Sequence, residues 1–529
     1  MTVNELIGET LVFGIPGTRV GEEDIRLFRE THAGGLILYR INFVSPAQIR
    51  RLITDLETAL ERRLLVTVDH EGGRVVMFSE GVTVFPDGLA VSLGGRPADA
   101  RRQGEIEGRE LRRLGMDVNF APVADVLTET HSPNIGIRSY GMDVRRVAAF
   151  VAARVRGMRS AGLSACAKHF PGLGPAARDP HLDLPVIRCG WKEMRSKHLV
   201  PFEAAIGAGA EMIMSSHPLY PRLDPSPKTP ATFSRRLMTD CLRGELGFEG
   251  VLASDDLEMG ALRRLCPPGR AAVLASRAGH DLLLSCHKAS AQKEIYRALV
   301  EAYGNGELSV RTLEDSVERV RRLKEKRSTR FSGGISPAER EGAILSARIS
   351  RKAVRILPAG GASGRPKTVN SLTGAKGAAV LTPMSKGTKP NVLIVFPRLS
   401  EVADIIMVEK ELRREARFLR DTLKRVKERI RTMVLPLNPP ASAIRRAAEA
   451  AGRSDRTVYF CQDAHLYEGC KKMLAVLGRA SRRLTVVLLR DPYDVALAPP
   501  RSAVVSSFGY RACQIRACLE KLFGPGMER

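Results

Sequence analysis

The sequence predicts an α/β protein, an N-terminal (β/α)8 TIM barrel followed by a C-terminal open α/β sandwich domain. Eight short apolar runs alternate with helix-length amphipathic segments over the first 330 residues. Polar residues gather at the C-terminal ends of those runs. Past residue 330 the chain changes character before a second strand and helix alternation begins.

The eight runs are Leu11 to Gly14, Gly35 to Tyr39, Leu64 to Asp69, Val118 to Val123, Ala165 to His169, Met212 to His217, Val251 to Asp255 and Asp281 to Ser285. Each has a largely apolar body without polar alternation, as a parallel strand covered on both faces requires. A large doubly wound sheet would also accept eight such strands. What favours the barrel is the position of Asp69, Asp125, Lys168 with His169, His217 and Asp255, at or just past the run ends. In a barrel those ends converge on one mouth.

Residues 1–330 are therefore expected to form the catalytic barrel. Lys324 to Gly334 reads as a basic, Gly-containing linker, and residues 331–390 as a linker helix, over about Pro337 to Ile356, and an extended or flexible connection rich in Gly, Ser, Lys and Thr from Pro358 to Pro390. Residues 391–529 read as the second domain, with strands at Asn391 to Phe396, Thr432 to Leu437, Thr457 to Cys461, Thr485 to Leu489 and Ala503 to Phe508. Arg-rich helical stretches such as Glu411 to Arg431 lie between them. This part holds neither a P-loop nor a G-x-G-x-x-G fingerprint, so no nucleotide site is expected. Its His465 reads as structural.

Composition narrows the classes. No apolar run approaches the roughly 18 residues that span a bilayer, and the N-terminal stretch has acidic residues and no basic lead-in. A protein retained in the cytoplasm is expected. Nine scattered cysteines with no C-x-x-C pair argue against a disulfide framework or a zinc site. The formal charge is +25. From residue 331 onward there are about 36 Lys and Arg against 17 Asp and Glu, so the basicity belongs mostly to the C-terminal part. A solvated basic face or contact with an anionic polymer would both account for it. Aromatics at 5% and the absence of a recognition motif speak against nucleic acid.

The stretch ACAKHFPGLGPAARDPHLDLP, from Ala165 to Pro185, carries most of the chemistry. A buried strand ends on Lys168 and His169, breaks into Pro and Gly, and leads to a loop with Asp179 and His181 on either side of Pro180. A carboxylate can hold an imidazole in one tautomer and stabilise its charged form, so the pair suits proton transfer. Elsewhere VDHEGGRV places Asp69 at a strand tip, with Glu71 and a glycine pair that lets the backbone turn tightly under a ligand. VLASDDLEMGA supplies Asp255 and Asp256. Asp125 and Glu71 read as salt-bridge ties between loops and the barrel rim.

Taken together, GGLILYRINF, VDHEGGRV, NFAPVADV, IGIRSYG, KHFPGLGPAARDPHLDLP, MIMSSHPLYP, PATFS and GELGFEGVLASDDLEMGA resemble the family 3 glycoside hydrolases, within them the β-N-acetylglucosaminidases of the NagZ type. The blocks cover about the first 290 residues in the family's order; the C-terminal match rests mainly on pattern and the RDPYD segment. The resemblance implies Asp255 as nucleophile, His181 as acid/base and Asp179 as its orienting partner. It implies sugar contacts from Asp69, Arg138, Lys168 and His169, with Asp256 a rim or packing residue. Leu173 and Pro180 stand where many members have His and Ser, and Met77 where members commonly have Arg.

The resemblance further implies an exo-acting, retaining enzyme that releases terminal β-linked N-acetylglucosamine from peptidoglycan fragments through a glycosyl-Asp intermediate, without metal or cofactor. The expected partners are a small oligosaccharide or muropeptide and, at the basic C-terminal domain, anionic glycan. Retaining glycosidases generally use two carboxyl groups about 5 to 5.5 Å apart, and here an imidazole takes the place of one. A neutral base repels an incoming anion less than a carboxylate does, so phosphorolysis is an alternative outcome. A family 3 β-glucosidase, a broad hexosaminidase and an inactive glycan-binding barrel are the other readings.

Overall fold

The computed structural model describes residues 1–130, 132, 134–176, 184–226, 228–326, 329–358, 389–402 and 408–524. Asp179 and His181, and most of the 358–390 connection, lie outside the described residues. By the clustering of its contacts the chain forms two units. The first comprises residues 1–71, 75–83 and 96–343, the second residues 72–74, 84–95 and 344–529.

In the first unit the eight runs become eight parallel strands closed in chain order. They are β1 (Leu11–Gly14), β2 (Gly35–Leu38), β3 (Leu65–Val68), β4 (Val118–Asn119), β5 (Ser164–Phe170), β6 (Met212–Ser215), β7 (Val251–Asp256) and β8 (Leu282–Ser285). Every strand residue is buried except the last two of β7. Inward side chains such as Val12, Ile37, Leu65, Val118, Met212 and Leu284 fill the interior. Helices between the strands start and stop on local signals. Pro97–Leu114 has Pro at its first turn and ends on Gly115 at φ 97°, a conformation that favours glycine.

The two ends of the barrel are built differently. At the N-terminal end, the Asp117 carboxylate accepts the Val66 N–H at 3.0 Å and binds Arg112 at 2.8 Å and Arg63 at 3.2 Å. Arg330 joins the same carboxylate and also donates to the Leu64 carbonyl at 2.7 Å. That end is a clamp for stability. At the C-terminal end the ladder is irregular, with shifts in register at Lys168 to Phe170 of β5 and Ala253 to Asp256 of β7. These are the positions where strand-end chemistry is expected.

The second unit is a six-stranded sheet in the order β11–β10–β12–β13–β14–β9. Its strands are β9 (Arg355–Leu357), β10 (Asn391–Pro397), β11 (Arg429–Leu435), β12 (Arg456–Cys461), β13 (Leu484–Leu488) and β14 (Ala503–Ser506). All pair in parallel except β9, which is antiparallel to β14. Ile394, Phe396, Val458, Phe460, Val487 and Ile515 belong to its core. Two expectations need correction. The helix expected to Ile356 runs over Arg340–Ala353, and the chain then extends into β9. The helix expected over Glu411 to Arg431 stops at Leu423, because Arg429 and Arg431 lie on the exposed edge strand β11.

Residues 72–74 and 84–95 of the second unit pack around one carboxylate. Gly72 and Gly73 have φ of 93° and 52°, and a Cβ on Gly73 would lie 2.1 Å from Asp87 Cγ. The glycine pair makes room for Asp87, whose Oδ1 accepts the Arg74 N–H at 3.0 Å. Arg511, fully buried, donates to the Gly73 carbonyl and lies 3.1 Å from Glu409.

Candidate active site

The mouth is built on an interlocked set of charges. Asp69 follows β3 directly, and Lys168 lies on β5 with 4% of its side chain exposed. The Lys168 ammonium pairs with Asp69 and reaches Glu71 Oε1 at 2.7 Å. Arg138, on the turn Gly136–Arg138, grips Glu71 with two parallel hydrogen bonds of 2.8 and 2.6 Å. Its third nitrogen donates to the Asn134 carbonyl and Oδ1, both at 3.0 Å, which fixes the fork.

His169 completes the set. Its Nδ1 lies 2.7 Å from Asp125 Oδ2, and its Nε2 lies 3.3 Å from Arg138 Nη2. A carboxylate only accepts and a guanidinium only donates, so the ring is neutral with its hydrogen on Nδ1. Asp125 Oδ1 accepts the Leu173 N–H at 2.5 Å, tying the Pro-Gly loop to the strand end.

These contacts decide charge. Burial raises the Glu71 carboxyl, but Arg138 and Lys168 outweigh it and hold the group far below the usual carboxylate range. Burial raises Asp69, and Lys168 only partly offsets it because Glu71 and Asp255 are close. For Asp255, burial is again the largest effect and acts upward. The His217 and His169 rings, the Asp256 N–H and Lys168 reverse it, so Asp255 sits below its ordinary value. The neighbouring Asp256 goes the other way, pushed by burial to about 7. Its N–H donates to Asp255 Oδ1 at 2.8 Å, and its Oδ1 accepts the Glu258 and Cys286 N–H groups at 3.1 and 3.3 Å.

Of the residues expected from sequence, Asp69, Arg138, Lys168 and His169 form one contact network, and Asp255 is electrostatically coupled to it at the end of β7. Asp179 and His181 lie outside the described residues. Glu71 does tie loops together, and it is also the hub of the mouth. His217 lies just past β6 and contacts Thr232 and the Asp256 carbonyl. Its place at a strand end was the only sequence signal for it. Tyr39 is coupled to Asp69 and Asp256, and its ring lies 5.2 Å from that of His287. Sequence reasoning attached no role to either aromatic group.

A closed parallel barrel with carboxylates and cations paired at its C-terminal mouth has the architecture of an enzyme whose active site lies at the strand ends. The model of the glycosyl hydrolase family 3 N-terminal domain matches residues 2–323, and the chain belongs to that family. The chain is similar to a β-hexosaminidase of Alkalilimnicola ehrlichii, 40% identical over 296 residues, which is 55% of this chain and 84% of the relative. It is also similar to one of Stenotrophomonas maltophilia, 37% identical over 283 residues, 52% of this chain and 83% of the relative. The solved structure of a family 3 β-N-acetylglucosaminidase from Paenibacillus sp. FPU-7 superimposes with a TM-score of 0.88 at 29% identity. That match covers 99% of this chain and 97% of that one. Its two-domain architecture is shared by this protein.

Proposed function

We propose that this family 3 hydrolase is an exo-acting, retaining β-N-acetylglucosaminidase that works on cytoplasmic peptidoglycan fragments. The observation that carries the reading is Asp255: a part-buried carboxylate at the end of β7, held below its ordinary value and electrostatically coupled to Lys168 and Asp69. In the first step an Asp255 oxygen attacks the anomeric carbon, and the glycosidic oxygen leaves with a proton from His181. In the second, His181 takes a proton from water, whose oxygen displaces Asp255 and regenerates the carboxylate. Asp179 orients His181. Asp69, Arg138, Lys168 and His169 hold the sugar. Neither metal nor cofactor enters either step.

The test is release of nitrophenol from the β-N-acetylglucosaminide and the β-glucoside, by wild type, Asp255→Ala and His181→Ala. Turnover confined to the acetamido sugar, lowered on the order of 10⁴-fold by Asp255→Ala and strongly by His181→Ala, is expected. Equal turnover of both sugars, or activity surviving Asp255→Ala, would overturn the assignment.

The second unit supports a further contact with anionic glycan. A groove of about 870 Å³ is lined by Lys410, Arg413, Arg414, Arg417, Lys424 and Arg516, against only Glu411 and Asp421 of opposite sign. Binding of an anionic glycan should fall steeply with salt, and Arg413→Gln with Arg414→Gln should weaken it. Salt-independent binding would count against this contact. Among the described residues no helix is long and apolar enough to cross a membrane.

A further inference from the structure

His217 is fully buried and both of its ring nitrogens face groups that accept. Nδ1 lies 2.7 Å from Thr232 Oγ1, and that hydroxyl lies 2.8 Å from the Ser216 carbonyl oxygen. A carbonyl has no hydrogen to give, so the one hydroxyl hydrogen of Thr232 goes to Ser216. The hydrogen between Thr232 and His217 must then come from Nδ1. Ser215 does not disturb this order. His280 donates from Nδ1 to the Ala275 carbonyl at 3.0 Å, and burial pushes its ring down to about 3. Its Nε2 therefore accepts the Ser215 hydroxyl at 2.8 Å. On the far side, His217 Nε2 lies 3.1 Å from the Asp256 carbonyl oxygen, again an acceptor only. Both ring nitrogens of His217 therefore carry hydrogens. The same counting gives His169 a single hydrogen, because Arg138 faces its Nε2.

We propose that His217 is an imidazolium at neutral pH and is the positioning residue of Asp255, holding it as an ionised nucleophile and as a good leaving group. The inference rests on the nucleophile reading of Asp255 given above. Two routes connect the residues. His217 grips the Asp256 carbonyl while the Asp256 N–H donates to Asp255 Oδ1 at 2.8 Å, so one peptide unit on each side of Asp256 is pinned. The charge of the ring also acts directly on the Asp255 carboxylate.

Among the described residues, the groups around the ring fit a cation there. From β7 it meets Asp255 and the Asp256 backbone; from the turn Ala231–Phe233, the Thr232 hydroxyl; behind Thr232 stand Ser215 at the end of β6 and the neutral His280 just before β8. Lys168 and His169 also act on Asp255 from β5. Lys168 is shared with Asp69 and Glu71, and His217 is the largest of the charges that act on Asp255.

A cation beside the carboxylate has opposite effects on the two chemical steps. It keeps Asp255 ionised at lower pH, and it stabilises the carboxylate that departs when water opens the glycosyl-enzyme. His217→Gln keeps an amide donor and removes the charge. The acidic limb of kcat/KM should move up by about one pH unit, a tenfold effect at pH values below it. With an aryl glycoside, kcat and KM should fall together and a nitrophenol burst should appear, since the covalent intermediate accumulates. Thr232→Val, which removes the acceptor for Nδ1, should shift the limb in the same direction by less. Independently of turnover, ring ¹⁵N shifts in the full-length protein labelled at histidine, assigned by the signal lost in His217→Gln, should show both nitrogens protonated at pH 7.5.

A single-hydrogen ring for His217 at that pH would overturn the proposal. So would a variant that keeps the wild-type acidic limb and loses only thermal stability. Activity surviving Asp255→Ala would instead remove the nucleophile reading, while the ¹⁵N measurement would still report the charge of the ring.

Discussion

The barrel mouth and the second unit each bury a carboxylate, and the two are treated in opposite ways. Glu71 is met by Arg138 and Lys168 within 2.8 Å, and those cations hold its carboxyl far down against the effect of burial. Asp87 is met by a backbone N–H and by more distant cations, and burial pushes it up to about 6. One site stores ionised groups where a polar ligand can use them, while the other tolerates a carboxyl as part of a packed scaffold. Parallel strands deliver polar residues to their C-terminal ends in both units. Closure of the barrel makes those residues neighbours, and neighbours of opposite sign can stay charged without water.

The largest effect that would sharpen this contrast comes from removing the hub. Glu71→Gln leaves Arg138 facing a neutral amide and Lys168 with Asp69 alone, both buried. A loss of about 4 kcal/mol is expected from breaking a buried pair on one side. Urea unfolding should show it, with KM for the aryl N-acetylglucosaminide rising in parallel. An unchanged unfolding midpoint would mean that the mouth is solvated enough to absorb the charge.

Asp87→Asn should act in the opposite direction. In the unfolded chain an aspartate titrates near 3.9, so between that value and about 6 the native state holds a proton that the unfolded state has lost. The contribution of the protonated group is complete below 3.9 and is lost as pH rises through 6. The amide removes this loss and should stabilise the protein by about 3 kcal/mol at pH 8 and hardly at all at pH 4. Thermal melts at the two pH values measure it, and equal shifts at both would break the comparison with Glu71.

Much of the barrel was legible because a strand covered on both faces leaves no alternation to confuse. All eight runs became strands, and only their ends moved. Val118 to Val123 shrank to Val118–Asn119 because Pro122 lacks the N–H that would continue the ladder. The second unit was less legible for a physical reason. β11 exposes Arg429 and Arg431 at a sheet edge, so its sequence carries the charge pattern of a surface helix. β9 has three residues, too few for any period to register. In the mouth, Asp69, Lys168 and His169 stood out as polar residues at strand ends, whereas the hub role of Glu71 could not. It depends on Arg138, brought in by a turn far along the chain. The hydrogen count at His217 depends in turn on Thr232 and on a carbonyl of β7, neither of which any local motif announces.

The smallest effect concerns the strand ends of the second unit, where His465 lies just past β12. Its Nδ1 is 2.9 Å from Asp494 Oδ1, with Asp491 at 3.9 Å. Burial lowers the ring, but the Asp494 hydrogen bond and charge outweigh it and leave its affinity for a proton above the ordinary value. Because the native value exceeds the unfolded one, the pair contributes fully below about 6.5 and its contribution is lost as pH rises through the native value. His465→Asn should therefore cost about 1 kcal/mol at pH 6 and little at pH 9, with turnover per folded molecule unchanged. A drop in kcat for His465→Asn at constant stability would show instead that this cluster does more than hold the sheet, and the contrast between the two sets of strand ends would have to be redrawn.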